Sequence, residues 1–216
     1  MKRKRFPARA VLLDWDGTLL NSFGSDSRAY LAMFREMGIN WGMRELIRHY
    51  SPNWHLLYRA AGLKRSLWDE ADRLWHAAYE KESPTLLPGA RKVIRKLAGR
   101  VKLGIVTSGT RWRVRQQLCD FKLDVHFTAC VCAEDARHRK PHPAPLKLAL
   151  RRMSMPPKEC VYVGDSPEDI VMARRSGVRS IGVRGPFPTA ARVLAARPDL
   201  MLDSIEELPE WIEALP

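Results

Sequence analysis

Short apolar runs, each ending on a hydroxyl or a carboxylate, set what this chain can fold into. Residues 11–13 (Val-Leu-Leu) run into Asp14, and a second carboxylate, Asp16, follows before Gly17 and Thr18 turn the chain. Residues 101–106 run into Thr107-Ser108-Gly109, and residues 160–163 into Gly164-Asp165. An apolar run this short, bounded by turn residues, reads as a buried strand. Further strands are expected at 127–132, 179–183 and 200–202. Helical stretches separate them at 90–97, 110–121 and 143–153, then after Pro167 (capped by Ser166), and at the end behind the capping box at Ser204. Strands alternating with helices give a parallel sheet covered on both faces. All its C-terminal strand ends then lie along one edge, where ligands bind. Asp14, Asp16, Thr107, Ser108 and Asp165 are therefore expected in one crevice. Lys140, in Arg139-Lys140-Pro141-His142-Pro143, joins them ahead of a helix on the same edge.

The stretch from residue 25 to about 84 has a different character, helical throughout. Tyr30, Phe34 and Met37 fall at i, i+4 and i+7, and Gly38 ends that helix. Residues 43–50 and 54–61 read as two more, the latter stopped by Gly62. The fourth is expected to be capped by Ser66, with Asp69 three residues on. Its apolar stripe would be Leu67, Ala71, Leu74 and Ala78, widened by Trp68 and Trp75. The expected class is α/β: a Rossmann-like parallel sheet with helices on both faces, plus an inserted four-helix cap. Residues 1–22 and 84–216 would form the core, and residues 23–83 the insert.

The hydrophobic fraction of 45% suits a globular chain. No apolar run is long enough to span a bilayer. The basic first five residues lead into a run too short and too charged for a signal peptide. The net charge of +13 raises the question of nucleic acid. Yet Lys and Arg are spread along the chain without aromatics interleaved in a repeating way, and a basic surface equally suits small anionic substrates or nothing specific at all, so a dedicated nucleic-acid function is not expected. Cys119, Cys130, Cys132 and Cys160 form neither a disulfide framework nor a zinc pattern. Cys130 and Cys132 would share one face of a strand. Reduced cysteines, and a cytoplasmic location, are expected.

The residue types at the crevice fit phosphoryl transfer. A phosphate dianion repels an attacking carboxylate, so such a site needs a metal and a fixed cation. Asp14 and Asp165 can bridge to Mg²⁺, which prefers oxygen ligands. Lys140 is a point charge for nucleophile and phosphate. The Thr107 hydroxyl and the backbone N–H groups of Ser108 and Gly109 can hold phosphoryl oxygens. Asp14 can be the nucleophile, and Asp16 the general acid and then the general base. Alone, however, Asp-x-Asp-Gly is also a common turn composition.

The partners supply the context. Asp14-Trp15-Asp16-Gly17-Thr18, Thr107-Ser108-Gly109, Lys140-Pro141-His142-Pro143-Ala144-Pro145 and Gly164-Asp165-Ser166-Pro167-Glu168-Asp169 stand in order at suitable spacing. With these four motifs the chain resembles the haloacid dehalogenase-like superfamily of phosphotransferases. Within it, the chain is most similar to phosphatases of the phosphoglycolate phosphatase type. Pro88-Gly89-Ala90 also matches, and the likeness runs from Val11 to about Leu208.

The resemblance implies Asp14 as nucleophile and Asp16 as acid/base. It implies Mg²⁺ on Asp14, Asp165 and the Asp16 backbone carbonyl, with Asp169 in an auxiliary metal role. Asp169 is equally explained as the third residue of a helix capped by Ser166. The second aspartate of the first motif points to a phosphatase or phosphomutase rather than a dehalogenase. Asn21 stands where relatives often carry Asp, outside the catalytic set. The insert is implied to be a mobile cap that selects the substrate. Within it Asn53, Trp54 or His55 would meet the leaving group; a plain inter-helix turn with Trp54 buried is the alternative. Trp15 is expected under the insert or against the sheet, and Glu134 and Asp135 as an exposed loop pair. His138 and His142 are expected at the surface. The expected activity is Mg²⁺-dependent hydrolysis of a small anionic phosphate ester, phosphoglycolate or a sugar phosphate, by a monomer or dimer. A sugar phosphomutase and a non-catalytic binding module of the same fold are the alternatives.

Overall fold

The computed structural model describes residues 6–215, so the basic segment before Phe6 lies outside the described residues. The chain divides into two compact units: residues 21–85 form one, and the remainder forms the other.

The larger unit begins with β1 (Phe6–Ala8) and β2 (Ala10–Leu13). The chain leaves it along β3 (Leu20–Asn21) and passes through α1 (Phe23–Glu36), α2 (Met43–His49), α3 (Trp54–Ala60) and α4 (Trp68–Tyr79). It returns along β4 (Thr85–Leu86). Then follow α5 (Ala90–Ala98), β5 (Lys102–Val106), α6 (Arg111–Asp120), β6 (Ala129–Val131) and α7 (Ala144–Met153). The remainder is β7 (Cys160–Gly164), α8 (Pro167–Arg175), β8 (Arg179–Val183), α9 (Ala190–Ala195), β9 (Leu200–Leu202), α10 (Leu208–Trp211) and β10 (Ile212–Ala214).

Six strands form one parallel sheet in the order β6-β5-β2-β7-β8-β9. β2 sits between β5 and β7, with Leu13 level with both Ile105 and Val163. From β2 the chain builds outward first to β5 and β6, then on the other side to β7, β8 and β9. The sequence order therefore reverses beside β2, which is where an open α/β sheet has its ligand crevice.

Side chains alternate across the sheet. Val11, Leu13, Leu103, Ile105, Val161 and Val163 face a core shared with α5, α6 and α10. Leu12, Val106, Cys160 and Tyr162 face a second core shared with α7 and α8. Both faces are thus apolar, which is why the strands read as continuous runs rather than as alternating ones. Trp15 is fully buried on the α5/α6 side. Its Nε1 donates to Gln117 Oε1 at 2.8 Å, and its ring lies 6.4 Å from that of Phe121.

β1 pairs in parallel with β10, Phe6 level with Ile212. Each is three residues long, too short for a periodic signal. α9 was likewise not expected; six residues give too little periodicity to separate it from the preceding loop.

The helical unit has its own core of Tyr30, Met33, Phe34, Leu46, Leu57, Tyr58, Trp68 and Ala71. Its four helices match the expected ones except at the start of the last. Ser66 does not cap α4; it lies in a 3-10 turn, Arg65–Leu67, and α4 begins at Trp68. The indole explains the shift: Trp68 Nε1 donates to the Leu63 carbonyl at 3.2 Å, anchoring the buried ring at the helix start. Leu67 is consequently exposed, and the inward face is Trp68, Ala71 and Tyr79, with Leu74 and Trp75 packed beside it.

Candidate active site

Four buried charges converge at the C-terminal edge of the large unit's sheet. Asp14 follows β2, Asp165 follows β7, Asp169 is in the first turn of α8, and Lys140 lies in the loop before α7. All four are at most 5% exposed. Lys140 Nζ lies 2.9 Å from Asp14 Oδ1 and 2.7 Å from Asp169 Oδ1. One carboxylate oxygen from each of Asp14, Asp165 and Asp169 lies within 4.8 Å of the others.

Local structure fixes each group. The Asp14 amide donates to the Val163 carbonyl at 2.9 Å, extending the β2–β7 ladder by one bond, and Asp14 Oδ1 accepts from the Trp15 amide at 2.7 Å. Asp165 Oδ1 accepts from the Thr18 hydroxyl at 3.2 Å, and the Asp165 carbonyl from the Thr189 hydroxyl at 2.7 Å. Gly17 has φ +75°, and a Cβ there would lie 2.2 Å from Asp165 Oδ2. The turn after Asp16 thus needs glycine both for its left-handed backbone and for room beside the second carboxylate.

Asp169 is held at both oxygens. Oδ1 accepts from Lys140 and from the Tyr162 hydroxyl at 3.0 Å; Oδ2 accepts from the Ser166 amide at 3.1 Å and its hydroxyl at 2.7 Å. Ser166 Oγ in turn accepts from the Asp169 amide, which makes the expected capping box part of the site's framework.

Three carboxylates face one ammonium, and the imbalance tells on Asp14 and Asp165. Burial first, and then Asp169 and Asp16, push the Asp14 carboxyl up to about 7 even against the Lys140 charge. Burial, with Asp14 and Asp169, raises Asp165 well above the carboxylate range. Burial works against the Lys140 ammonium, but Asp14 and Asp169 outweigh it and hold its pKa above the ordinary value. A cluster of buried oxygen donors with surplus negative charge is what a hard divalent cation such as Mg²⁺ satisfies. The residues present fit that ion.

The other expected groups fall into two sets. Thr107 is buried, and its Oγ1 accepts from the Gly109 amide at 3.0 Å. Ser108 Oγ is buried with no hydrogen-bond partner among the described residues. A Cβ on Gly109 would lie 2.4 Å from Arg113 Nη2 and 3.2 Å from Asp16 Oδ2, so the loop passes close beside Asp16 only as glycine. Asn53 and Trp54 belong to the helical unit, at the start of α3. Asn53 Oδ1 is buried with no hydrogen-bond partner among the described residues, and Trp54 is half-buried against that unit's own core.

Sequence reasoning missed Arg113. It is nearly buried, one turn into α6, and pairs with both oxygens of Asp16: Nη1 to Oδ1 at 2.9 Å and Nη2 to Oδ2 at 2.6 Å. Gln117, four residues on, accepts from Arg113 at 3.3 Å and from the Trp15 indole. The available signal was the i, i+4 pair directly after Thr107-Ser108-Gly109. Asp135 also differs from expectation. Its side chain is only 8% exposed, accepts from the Cys132 amide at 2.9 Å and pairs with Arg111 and Arg152. Glu134 is exposed, as expected, and accepts from the Arg111 amide at 2.9 Å, taking the place of a side-chain cap from Thr110. His138 and His142 are both exposed, as expected, with ring centroids 4.3 Å apart.

The model of the haloacid dehalogenase-like hydrolase family matches residues 11–183. The chain belongs to that family. Among curated relatives, the pyrophosphatase PpaX of Bacillus cereus is 30% identical over 204 residues, covering 92% of this chain and 93% of the relative. A structure from Haemophilus somnus, described as a predicted phosphoglycolate phosphatase, superposes with a TM-score of 0.82 at 21% identity, covering 94% of this chain and 97% of that one. CbbY from Rhodobacter sphaeroides, solved in complex with phosphate, gives 0.80 at 23% identity, covering 93% and 96%. These two likenesses bear on the fold of the hydrolase. Among the described residues, no helix of the hydrolase is long and apolar enough to cross a membrane.

Proposed function

We propose that this hydrolase is a Mg²⁺-dependent phosphatase of small phosphorylated metabolites, working through a phosphoryl group carried on Asp14. The observation that carries the reading is the position of Lys140 Nζ, buried between Asp14 and Asp169 beside Asp165. A lone buried lysine among three carboxylates cannot neutralise them, so the arrangement is built for a cation and an anionic substrate together. Asp14 and Asp165 would hold the metal side chain to metal, with the Asp16 backbone carbonyl. Asp169, whose two oxygens already accept four donors, serves chiefly to fix Lys140. When bound, the ion supplies neutralisation of phosphoryl charge.

The chain's own groups then have distinct tasks. Asp14, one oxygen fixed by Lys140 and the Trp15 amide, attacks phosphorus with the other. Thr107, Ser108 and the Gly109 amide receive the phosphoryl oxygens. The Ser108 hydroxyl, buried and without a partner among the described residues, is placed to do so. Asp16 protonates the leaving oxygen and afterwards deprotonates the water that cleaves the aspartyl-phosphate. For Asn53 and Trp54 of the helical unit we propose the role of recognising the leaving group.

The test is phosphate release across a panel that begins with pyrophosphate and phosphoglycolate, the substrates in the relatives' names, and extends to sugar phosphates. Release that needs Mg²⁺ and stops with chelator supports the reading. No Mg²⁺-dependent release from any compound overturns it.

Arg113 should act by positioning Asp16. A bidentate guanidinium pair fixes a carboxylate in both distance and plane. Arg113→Gln is expected to lower kcat by about 10-fold to 100-fold and leave KM nearly unchanged, with Arg113→Lys falling between. An unchanged kcat in Arg113→Gln would remove the positioning role.

The raised carboxyls also set a pH dependence. Asp14 moves from an unfolded value of 3.8 to about 7 in the folded protein. The folded state therefore binds more protons between those values, and metal-free stability falls as pH rises through that window. Mg²⁺ binds the ionised carboxylates, so its stabilisation grows in the same direction. Melting curves with and without Mg²⁺ at about pH 5 and about pH 8 should show the larger metal-induced shift at the higher pH. An equal shift at both would contradict this account of the site.

A further inference from the structure

The structure assigns a second reactive site to this protein: Cys130 and Cys132, at the end of β6, form a peroxide-sensitive dithiol that closes to a disulfide and disturbs the Thr107–Gly109 loop. Its effect on catalysis rests on the phosphatase reading above; its chemistry does not.

The two Sγ atoms lie 3.6 Å apart, on one side of an edge strand. Cys130 is half-buried and open to a small oxidant, while Cys132 is buried. The two thiols are unlike. The hydrogen-bonding contact with Cys132, with help from Arg115 and Arg152, lowers the Cys130 thiol below its ordinary pKa despite burial and Asp135. The Cys132 thiol is raised by the same contact, by burial and by its acidic neighbours. This is the asymmetry of an attacking thiolate beside a resolving thiol.

Backbone length also permits closure. Residues two apart on a strand are about 6.6 Å apart at Cα, just inside the limit of about 6.8 Å for a disulfide. Closure therefore has to contract or twist the strand. An edge strand, with a neighbouring strand on one side only and a single Arg152 side chain on the Cys130 carbonyl, can give in this way where a central one cannot. A strained bond of this kind is readily reduced again.

The chemistry balances with hydrogen peroxide as oxidant. The Cys130 thiolate attacks one peroxide oxygen; the O–O bond breaks, and the departing hydroxide takes up a proton as water. Cys130 is left as sulfenic acid. Cys132 sulfur then attacks Cys130 sulfur, the S–O bond breaks, and hydroxide leaves with the Cys132 proton as a second water. The two thiols lose two electrons, and the peroxide gains them.

The consequence follows from what the neighbouring residues hold. Just before Cys132, the Val131 carbonyl accepts from the Thr107 amide at 2.9 Å. Just after it, the Ala133 amide donates to the Gly109 carbonyl at 3.0 Å, and Glu134 caps α6 at the Arg111 amide. The loop meant to hold phosphoryl oxygens thus hangs from the residues flanking Cys132. Contracting residues 130–132 pulls on both of its anchors.

The experiment uses the full chain in a Cys119→Ser background, which removes the exposed thiol. Protein is treated with hydrogen peroxide, alkylated and digested with trypsin. The peptide spanning residues 123–137 contains Cys130 and Cys132 and no other cysteine. Expected are the loss of two hydrogens from that peptide, restored by dithiothreitol, and a parallel reversible fall in phosphate release of about 10-fold or more. Cys130→Ser should keep its activity before and after peroxide, and Cys132→Ala should stop at a sulfenic acid trapped by dimedone. The assignment is overturned if the wild-type peptide stays fully reduced under peroxide, or if Cys130→Ser is inactivated like the wild type. Should no phosphate be released even before peroxide, the phosphatase reading fails, and the peptide mass still decides the dithiol.

Discussion

Asp14→Asn is expected to abolish phosphate release, by roughly 10⁴-fold or more, without unfolding the protein. The amide keeps the shape of the side chain, and its carbonyl oxygen can still accept from Lys140 and the Trp15 amide. What is lost is the attacking electron pair and one unit of the charge that holds a metal. Metal-free stability should not fall and should rise above about pH 7, because the ionised Asp14 is disfavoured by burial and by Asp169 and Asp16. The pH dependence of the metal-free melting temperature should flatten with it. Rate measurements, circular dichroism and melting curves check all three. Retained activity in a folded Asp14→Asn protein would show that the nucleophile lies elsewhere.

Lys140→Met should damage both rate and stability. Methionine matches the volume but removes the one ammonium that lies against both Asp14 and Asp169. Breaking a buried pair from one side leaves uncompensated charge, at a cost of about 3–5 kcal/mol. The rate should fall by about 10²-fold to 10³-fold, since the cation that steadies both nucleophile and phosphate is gone. The two effects can be separated. In Lys140→Met/Asp169→Asn one of the stranded carboxylates is removed, so part of the stability should return while activity does not. A cycle of the two single variants and the double variant measures that coupling. If denaturant titration finds Lys140→Met as stable as the wild type, the ion pairs described here do not support the fold.

The sheet was legible because each strand is a compact apolar run with a punctuated end. Residues 11–13, 101–106 and 160–163 ended where the polar groups begin, and the β2, β5 and β7 ends carry Asp14, Thr107 and Asp165 as that pattern implied. Lys140 and Asp169 were legible through motif spacing and capping chemistry. Arg113 was not, because an arginine in a helix reads as a solvated charge until a carboxylate from a different strand end is placed opposite it. The β1–β10 pairing was hidden for a related reason: three residues have no period, and their partner lies at the other end of the described chain. The start of α4 was misplaced because local capping favoured Ser66 while a buried indole decided the matter. For Arg113 and β1 the deciding contact is distant in sequence; for α4 it is a buried side chain five residues from its partner.

The position of β2 between β5 and β7 has a consequence for how the protein is made. Asp14 is translated before its neighbours: the strand that carries it gains its first sheet neighbour only when β5 emerges and its second when β7 does. The amide of Asp14 cannot find the Val163 carbonyl before then. The two carboxylates that complete the cluster, Asp165 and Asp169, follow directly after β7. A nascent chain therefore carries its first motif without a formed site until β7 and the first turn of α8 have emerged. Competence for phosphate chemistry should arrive abruptly at that point, as expected for a fold ruled by non-local pairing.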